Sequence, residues 1–147
     1  MNKRWLVGLM LLIALPAFAV EQAGMIKVSK GAVHIERGAQ KMPATVGTPV
    51  LTGDVVVTGA DGSVGLTLRD NTLLSAGPKS RLSLDNFAFN TTTHAGKLDA
   101  SLKRGSLAVV SGKLAKQSPD AVQFRTPAAI FGARGTHFVM DVNSKED

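Results

Sequence analysis

No cysteine occurs among the 147 residues. That excludes disulfides, thiolate metal sites, iron–sulfur clusters, a cysteine nucleophile and a lipid anchor on an N-terminal cysteine. No tyrosine occurs either, and the one tryptophan, Trp5, stands in the first apolar run. Tight interfaces and flat ligand platforms favour Trp and Tyr, so a sugar-stacking site is poorly supplied. After residue 19 the only aromatics are Phe87, Phe89, Phe124, Phe131 and Phe138. Long hydrophobic runs are also missing beyond that first one. An apolar fraction of 44% with 19% charged residues is that of an ordinary globular chain, and the length fits one domain.

The N-terminus reads as an export signal. Lys3 and Arg4 precede an apolar run from Trp5 to Leu15, Pro16 breaks it, and Ala17-Phe18-Ala19 supplies small residues at a cleavage site. The run is shorter than the ~20 residues a spanning helix needs. Residues 1–19 are therefore expected to be a signal peptide cut after Ala19. The expected mature product is a single domain over 20–147, periplasmic and without a transmembrane segment. Loss of Lys3 and Arg4 lowers the net charge from +6 to +4. The remaining basic residues are scattered, with only Lys103-Arg104 adjacent. A solvated surface follows, and a nucleic-acid partner is not expected.

Short strands are expected almost throughout. Val64, Leu66 and Leu68 alternate with smaller or polar residues, as do Leu82 and Leu84, then Leu98, Ala100 and Leu102, then Phe138, Met140 and Val142. Ile26 and Val28 are expected on one face, and Val33 and Ile35 on one face after the break at Gly31. Turn-formers punctuate these runs, among them Gly53-Asp54, Asp61-Gly62, Asp70-Asn71, Ala76-Gly77-Pro78 and Arg104-Gly105. No helical period of helix length appears, and Ala128 to Ala133 offers at most one short turn. Gly53 to Gly59 and Gly105 to Gly112 form a weak echo of each other. The expected fold is all-β, with many short strands and tight Gly/Asp turns, arranged as a solenoid-like stack or an elongated two-layer sandwich. Asn86 to Lys97 reads as a longer loop joining two halves. Phe87 and Phe89 within it share a face that either caps the core or forms a partner-contact patch.

Catalytic machinery is not found. There is no G-x-S-x-G elbow, no H-E-x-x-H pair and no glycine-rich loop closed by Gly-Lys-Ser/Thr. His34, His94 and His137 lie far apart, none with a second ligand at metal spacing. The aspartates mostly abut turns, where they accept backbone N–H groups. The chain is expected to be no enzyme, with no catalytic residue, cofactor or metal.

Two segments are richer than a generic strand protein requires. One is Leu51-Thr52-Gly53-Asp54-Val55-Val56-Val57-Thr58, followed by Asp61-Gly62-Ser63 and by Asp70-Asn71. The other runs Val122-x-Phe124-x-Thr126-Pro127-x-Ala129-x-Phe131-Gly132-x-Arg134-Gly135-Thr136-x-Phe138. These resemble the FecR domain family, whose members carry Gly-Asp-x-(Ile/Val)-x-Thr, an Asp-Gly-(Ser/Thr) turn and a closing Thr-Pro-x-Ala-x-x-x-Val-Arg-Gly-Thr-x-Phe. The resemblance covers about Gly24 to Val142. Asn71 stands where the family usually has glycine, and Asn tolerates the left-handed turn conformation. Ala133 stands where a β-branched residue is common.

The family's best-known members regulate iron uptake through a cytoplasmic anti-sigma segment, one membrane helix and this domain outside. This chain is expected to be the outside domain alone. The resemblance implies a non-catalytic periplasmic module that binds a periplasmic or membrane signalling protein. The alternative expectation is a peptidoglycan- or polysaccharide-associated envelope protein. Gly53, Asp54, Asp70, Thr126, Pro127, Arg134, Gly135 and Thr136 form the structural motif. Arg134 is expected either to pair with Asp54 or Asp70, pinning the C-terminal strand, or to face a partner.

Overall fold

Alternating burial is realised strand by strand in the computed structural model, which describes residues 13–16, 21–132 and 137–143. In β6 (Ser63–Leu68), Val64, Leu66 and Leu68 are buried while Ser63, Gly65 and Thr67 are half-exposed. It pairs antiparallel with β7 (Leu73–Ala76) across the Asp70-Asn71 turn. Asn71 has φ 69°, so the side chain that replaces glycine does adopt the left-handed conformation. β1 (Gln22–Lys30) lies on the other side of β6, and β4 (Pro49–Leu51) lies outside β1. In the second half of the sheet, β2 (Val33–Arg37) pairs with β3 (Gln40–Pro43) and with β5 (Val55–Thr58), and β5 pairs with β8 (Arg81–Phe89).

One long strand, β9 (Gly96–Val110), joins the two halves. Its first part pairs with β8 on one side and, in parallel, with β10 (Val122–Arg125) on the other. Its last part pairs with β7 and with β12 (His137–Val142). β11 (Ile130–Gly132) hairpins onto β10. The hydrogen bonding traces one open curled sheet, β3-β2-β5-β8-β9-β7-β6-β1-β4, with β10, β11 and β12 attached through β9. The all-β expectation holds. The strands form this one curled sheet where a stack of rungs or an elongated sandwich was expected. Its concave side holds one core that includes Ile26, Ile35, Leu74, Leu98, Leu107 and Phe124, each fully or almost fully buried.

The bend in β9 has a specific cause. Leu98, Ala100 and Leu102 are buried, then Leu107 and Val109, so the inward parity switches between them. Gly105, at φ 89°, absorbs the extra residue. A Cβ there would lie 2.1 Å from Ser80 Oγ and 2.4 Å from Ser80 Cα. Arg104-Gly105 is thus a corner within one strand, not a turn between two.

Three further expectations are corrected. Ile26 is fully buried but Val28 is 46% exposed, because a bulge at this point of β1 moves Val28 to the outer face over Gly65. The expected loop over Asn86 to Lys97 is a tight hairpin: β8 runs on through Phe89 and β9 begins at Gly96. Its turn is closed by Asn90, whose carbonyl accepts from the His94 N–H at 2.8 Å and whose side chain accepts from the Thr92 and Thr93 N–H groups. Ala128 to Ala133 does not begin a helical turn: Ile130–Gly132 is a strand. A short helix that the sequence pattern does not reveal, α1 (Lys113–Gln117), follows β9 and buries Leu114 and Ala115.

Candidate partner-binding edge

The closing motif builds a groove. The Thr126 N–H donates to the Ala129 carbonyl at 2.9 Å, and the Ala129 N–H donates to Thr126 Oγ1 at 3.2 Å. Pro127 sits at the second position of this four-residue turn, which its fixed φ suits. The turn joins β10 to β11 and forms one wall. β12 forms the other, and its residues Phe138 to Val142, with Asn143 just beyond, all line the space between. The groove measures about 780 Å³ and also takes in Lys103 and Phe131. Phe124 is fully buried beneath it and meets Phe138 edge-to-face, with ring centroids 5.2 Å apart. That contact ties β12 to β10. Two lining residues stay exposed, Phe131 at 44% and Val139 at 74%, and Ile130, next to Phe131 in β11, is 62% exposed.

The groove runs along an edge strand. Among the described residues, β12 pairs with β9 alone. Edge strands are normally guarded against further pairing by shortness, proline, lysine or a bulge. Three edges of this sheet follow the rule. β3 has four residues and carries Lys41 and Pro43. β4 has three and begins at Pro49. β11 has three. β12 has six residues, with no proline, no lysine and no register shift from His137↔Val110 to Val142↔Gly105.

The remaining motif residues serve the scaffold. Gly53 has φ 91° in the turn where the Asp54 N–H donates to the Leu51 carbonyl at 3.1 Å. Asp54 is 1% exposed. Its carboxylate accepts from Arg37 Nε at 2.9 Å, Arg37 Nη2 at 2.7 Å and the Leu51 N–H at 2.8 Å. The carboxylate beside it raises the Arg37 pKa. The cation on Asp54 is therefore Arg37, which sequence reasoning missed. A signal existed: Arg37 follows Val33 and Ile35 at inward parity, where a charge needs a partner. Asp70 is fully buried and holds no cation among the described residues. It accepts from the Thr72 N–H, Thr72 Oγ1 and the Leu114 N–H, while its own carbonyl accepts from the Lys113 N–H. It thus fastens α1 to the β6–β7 turn.

Arg134, Gly135 and Thr136 lie outside the described residues, as does the proposed cleavage site at Ala19. Phe87 and Phe89 are 5% and 8% exposed. Both belong to the core, which removes them as partner contacts. Arg69 lies 5.4 Å over the Phe87 ring, and Phe89 stacks on His94 at 5.8 Å. The structure therefore brings Thr126 and Pro127 to the groove and leaves Gly53, Asp54 and Asp70 remote from it as fasteners.

No group of three or more His, Asp or Glu able to hold a metal ion occurs among the described residues. No described helix is long and apolar enough to cross a membrane. The sequence profile described as FecR protein matches residues 54–147, which take in the first motif from Asp54 onward and the whole of the second. No curated protein and no solved structure matches the chain.

Proposed function

The chain belongs to the FecR family, and from that premise we propose that it is an exported, non-catalytic module that binds another protein of the cell envelope in signalling or regulation. The family is one of envelope-associated, signalling-related periplasmic domains, which supports the class of function. The observation that carries binding is the unguarded β12 edge beside an apolar groove. An extended segment of a partner can add to such an edge through main-chain hydrogen bonds. Its alternate side chains then enter the groove. Export by the N-terminal signal, with cleavage after Ala19, delivers the module to the periplasm.

A photo-cross-linking residue placed at Val139 tests this in intact cells, with one at Val46 as control. Val46 is also exposed, at 65%, but lies in the loop between β3 and β4. The expected result is an adduct with one defined envelope protein other than a second copy of the chain from position 139 and none from position 46. Equal labelling from both positions refutes the edge as the binding site. Recovery with the peptidoglycan sacculus, without a protein adduct, replaces this reading with wall association.

A further inference from the structure

We propose that β12 pairs antiparallel with β12 of a second copy of this chain, about a two-fold axis through Val139. The inference goes beyond the envelope partner: the second copy takes the same edge while that partner is absent, so the two compete for β12.

Two copies of one strand can pair antiparallel only about a two-fold axis. Residues directly opposite each other point to the same face. Only axes through a residue keep that parity, and β12 offers two central ones. An axis through Met140 sets Val139 against the partner's Asp141 and His137 against the partner's Asn143. An axis through Val139 sets Val139 against itself and His137 against the partner's Asp141, twice by symmetry. On the inner face it sets Phe138 against the partner's Met140. The second arrangement gives each residue from 137 to 141 a compatible partner. The most exposed large apolar side chain of the sheet, 74% accessible, meets its own copy. A histidine that can donate meets a carboxylate that accepts, on both sides of the axis. A thioether meets an aromatic ring, a favourable pairing in its own right. The sequence His137-x-Val139-x-Asp141 is thus self-complementary about its centre.

The outer face sets no charge against the extension. Val139 continues a row across the outer face through Ala108, Ser75, Gly65 and Val28. The neighbouring row runs from His137 through Val110, Leu73 and Thr67 to Met25. Neither row carries a lysine, arginine or carboxylate, so the joined sheet brings no like charges opposite each other.

The absence of cysteine makes the test clean. The chain, recovered from the periplasm after export, is oxidised as the Val139→Cys and Val46→Cys variants and is weighed by sedimentation. The expected result is twice the chain mass for the unmodified protein at ~100 µM and rapid disulfide dimers from Val139→Cys only. Val139→Lys, which sets two ammonium groups at the axis, should weaken the dimer at least tenfold, with an unchanged melting temperature in dilute solution where both proteins are monomers. His137→Asp should do the same by facing the partner's Asp141. Adding Asp141→Lys to His137→Asp should restore the dimer, because the register sets 137 against 141. A monomer at that concentration overturns the proposal. So does equal cross-linking from positions 139 and 46, a dimer that survives Val139→Lys, or a double variant no tighter than His137→Asp.

Discussion

The Arg37–Asp54 pair should behave as one unit, and a double-mutant cycle measures it. Asp54 is 1% exposed and accepts three hydrogen bonds, two from Arg37 and one from the Leu51 N–H. Hydrogen bonds to a charged group contribute ~1.5–3 kcal/mol each, and breaking a fully buried pair costs ~3–5 kcal/mol. Arg37 is not fully buried, with 34% of its side chain exposed, so water screens its share. Asp54→Ala is therefore expected to cost about 3 kcal/mol, and Arg37→Ala about the same, because it strands the carboxylate. The double variant should cost about 4 kcal/mol, well short of the summed singles. The coupling is then about 2 kcal/mol. Urea unfolding followed by circular dichroism reads all four proteins, with equal m-values as the check on two-state behaviour. Additive singles, with a coupling below ~0.5 kcal/mol, would refute the pair as the fastener of the Gly53 turn.

Three further outcomes are expected. Asp70→Ala leaves the Thr72 and Leu114 N–H groups without their acceptor and should cost about 3 kcal/mol in urea unfolding, with Asp70→Asn recovering roughly half. Gly105→Ala should cost ~3 kcal/mol or more, because the left-handed corner disfavours a Cβ and Ser80 occupies its space; thermal unfolding checks it. The Arg81 guanidinium, at 2.6 Å, and then the His34 ring hold the Glu36 carboxyl below its ordinary 4.5. A folded value below the unfolded one means the stabilisation is complete above pH 4.5 and fades as pH falls through the folded value. Glu36→Gln should accordingly lower the melting temperature near neutrality, and the gap from wild type should close in acid.

What the sequence disclosed, and what it hid, follows from how local each feature is. The Val64-x-Leu66-x-Leu68 pattern is legible because β6 has one buried and one half-exposed face, so period two survives intact. The same rule misplaces Val28, since the bulge in β1 is imposed by pairing with β6 and leaves no trace in β1 itself. It also hides the continuity of β9, where a glycine that looks like a turn marks a change of inward parity within one strand. Asn90 and three threonines make the β8–β9 connection look long, yet Phe87 and Phe89 already carry the strand's alternation. α1 has five residues, too few to show a helical period, and depends on a distant residue, Asp70, whose carbonyl and carboxylate accept its first two N–H groups. The candidate site divides in the same way. Thr126 and Pro127 announce a turn on their own. The open edge of β12 does not show in its sequence, because an edge is defined by the absence of a neighbour.

The curl has two seams, and they differ. On one side β3 and β4 are joined by residues 44–48, which bond back to β1: the Gly47 N–H donates to the Ile26 carbonyl at 2.8 Å and the Ile26 N–H to the Thr48 carbonyl at 3.0 Å. Ala44 is buried there, and Ser29 Oγ donates to its carbonyl at 2.6 Å. That seam is closed by the chain itself. On the other side β11 and β12 stand across the groove, and the described residues that span it touch through Phe124 and Phe138 rather than through a ladder. The span matched by the family profile begins at Asp54 and so excludes the closed seam and includes the open one. Yet β5 and β6, both inside the matched span, each need a neighbour from outside it: β2 for one and β1 for the other. Arg37, the cation of Asp54, also lies outside. Residues 22–51 thus complete the sheet where it must not pair further, and the family-matched part presents, among the described residues, a long edge that still can.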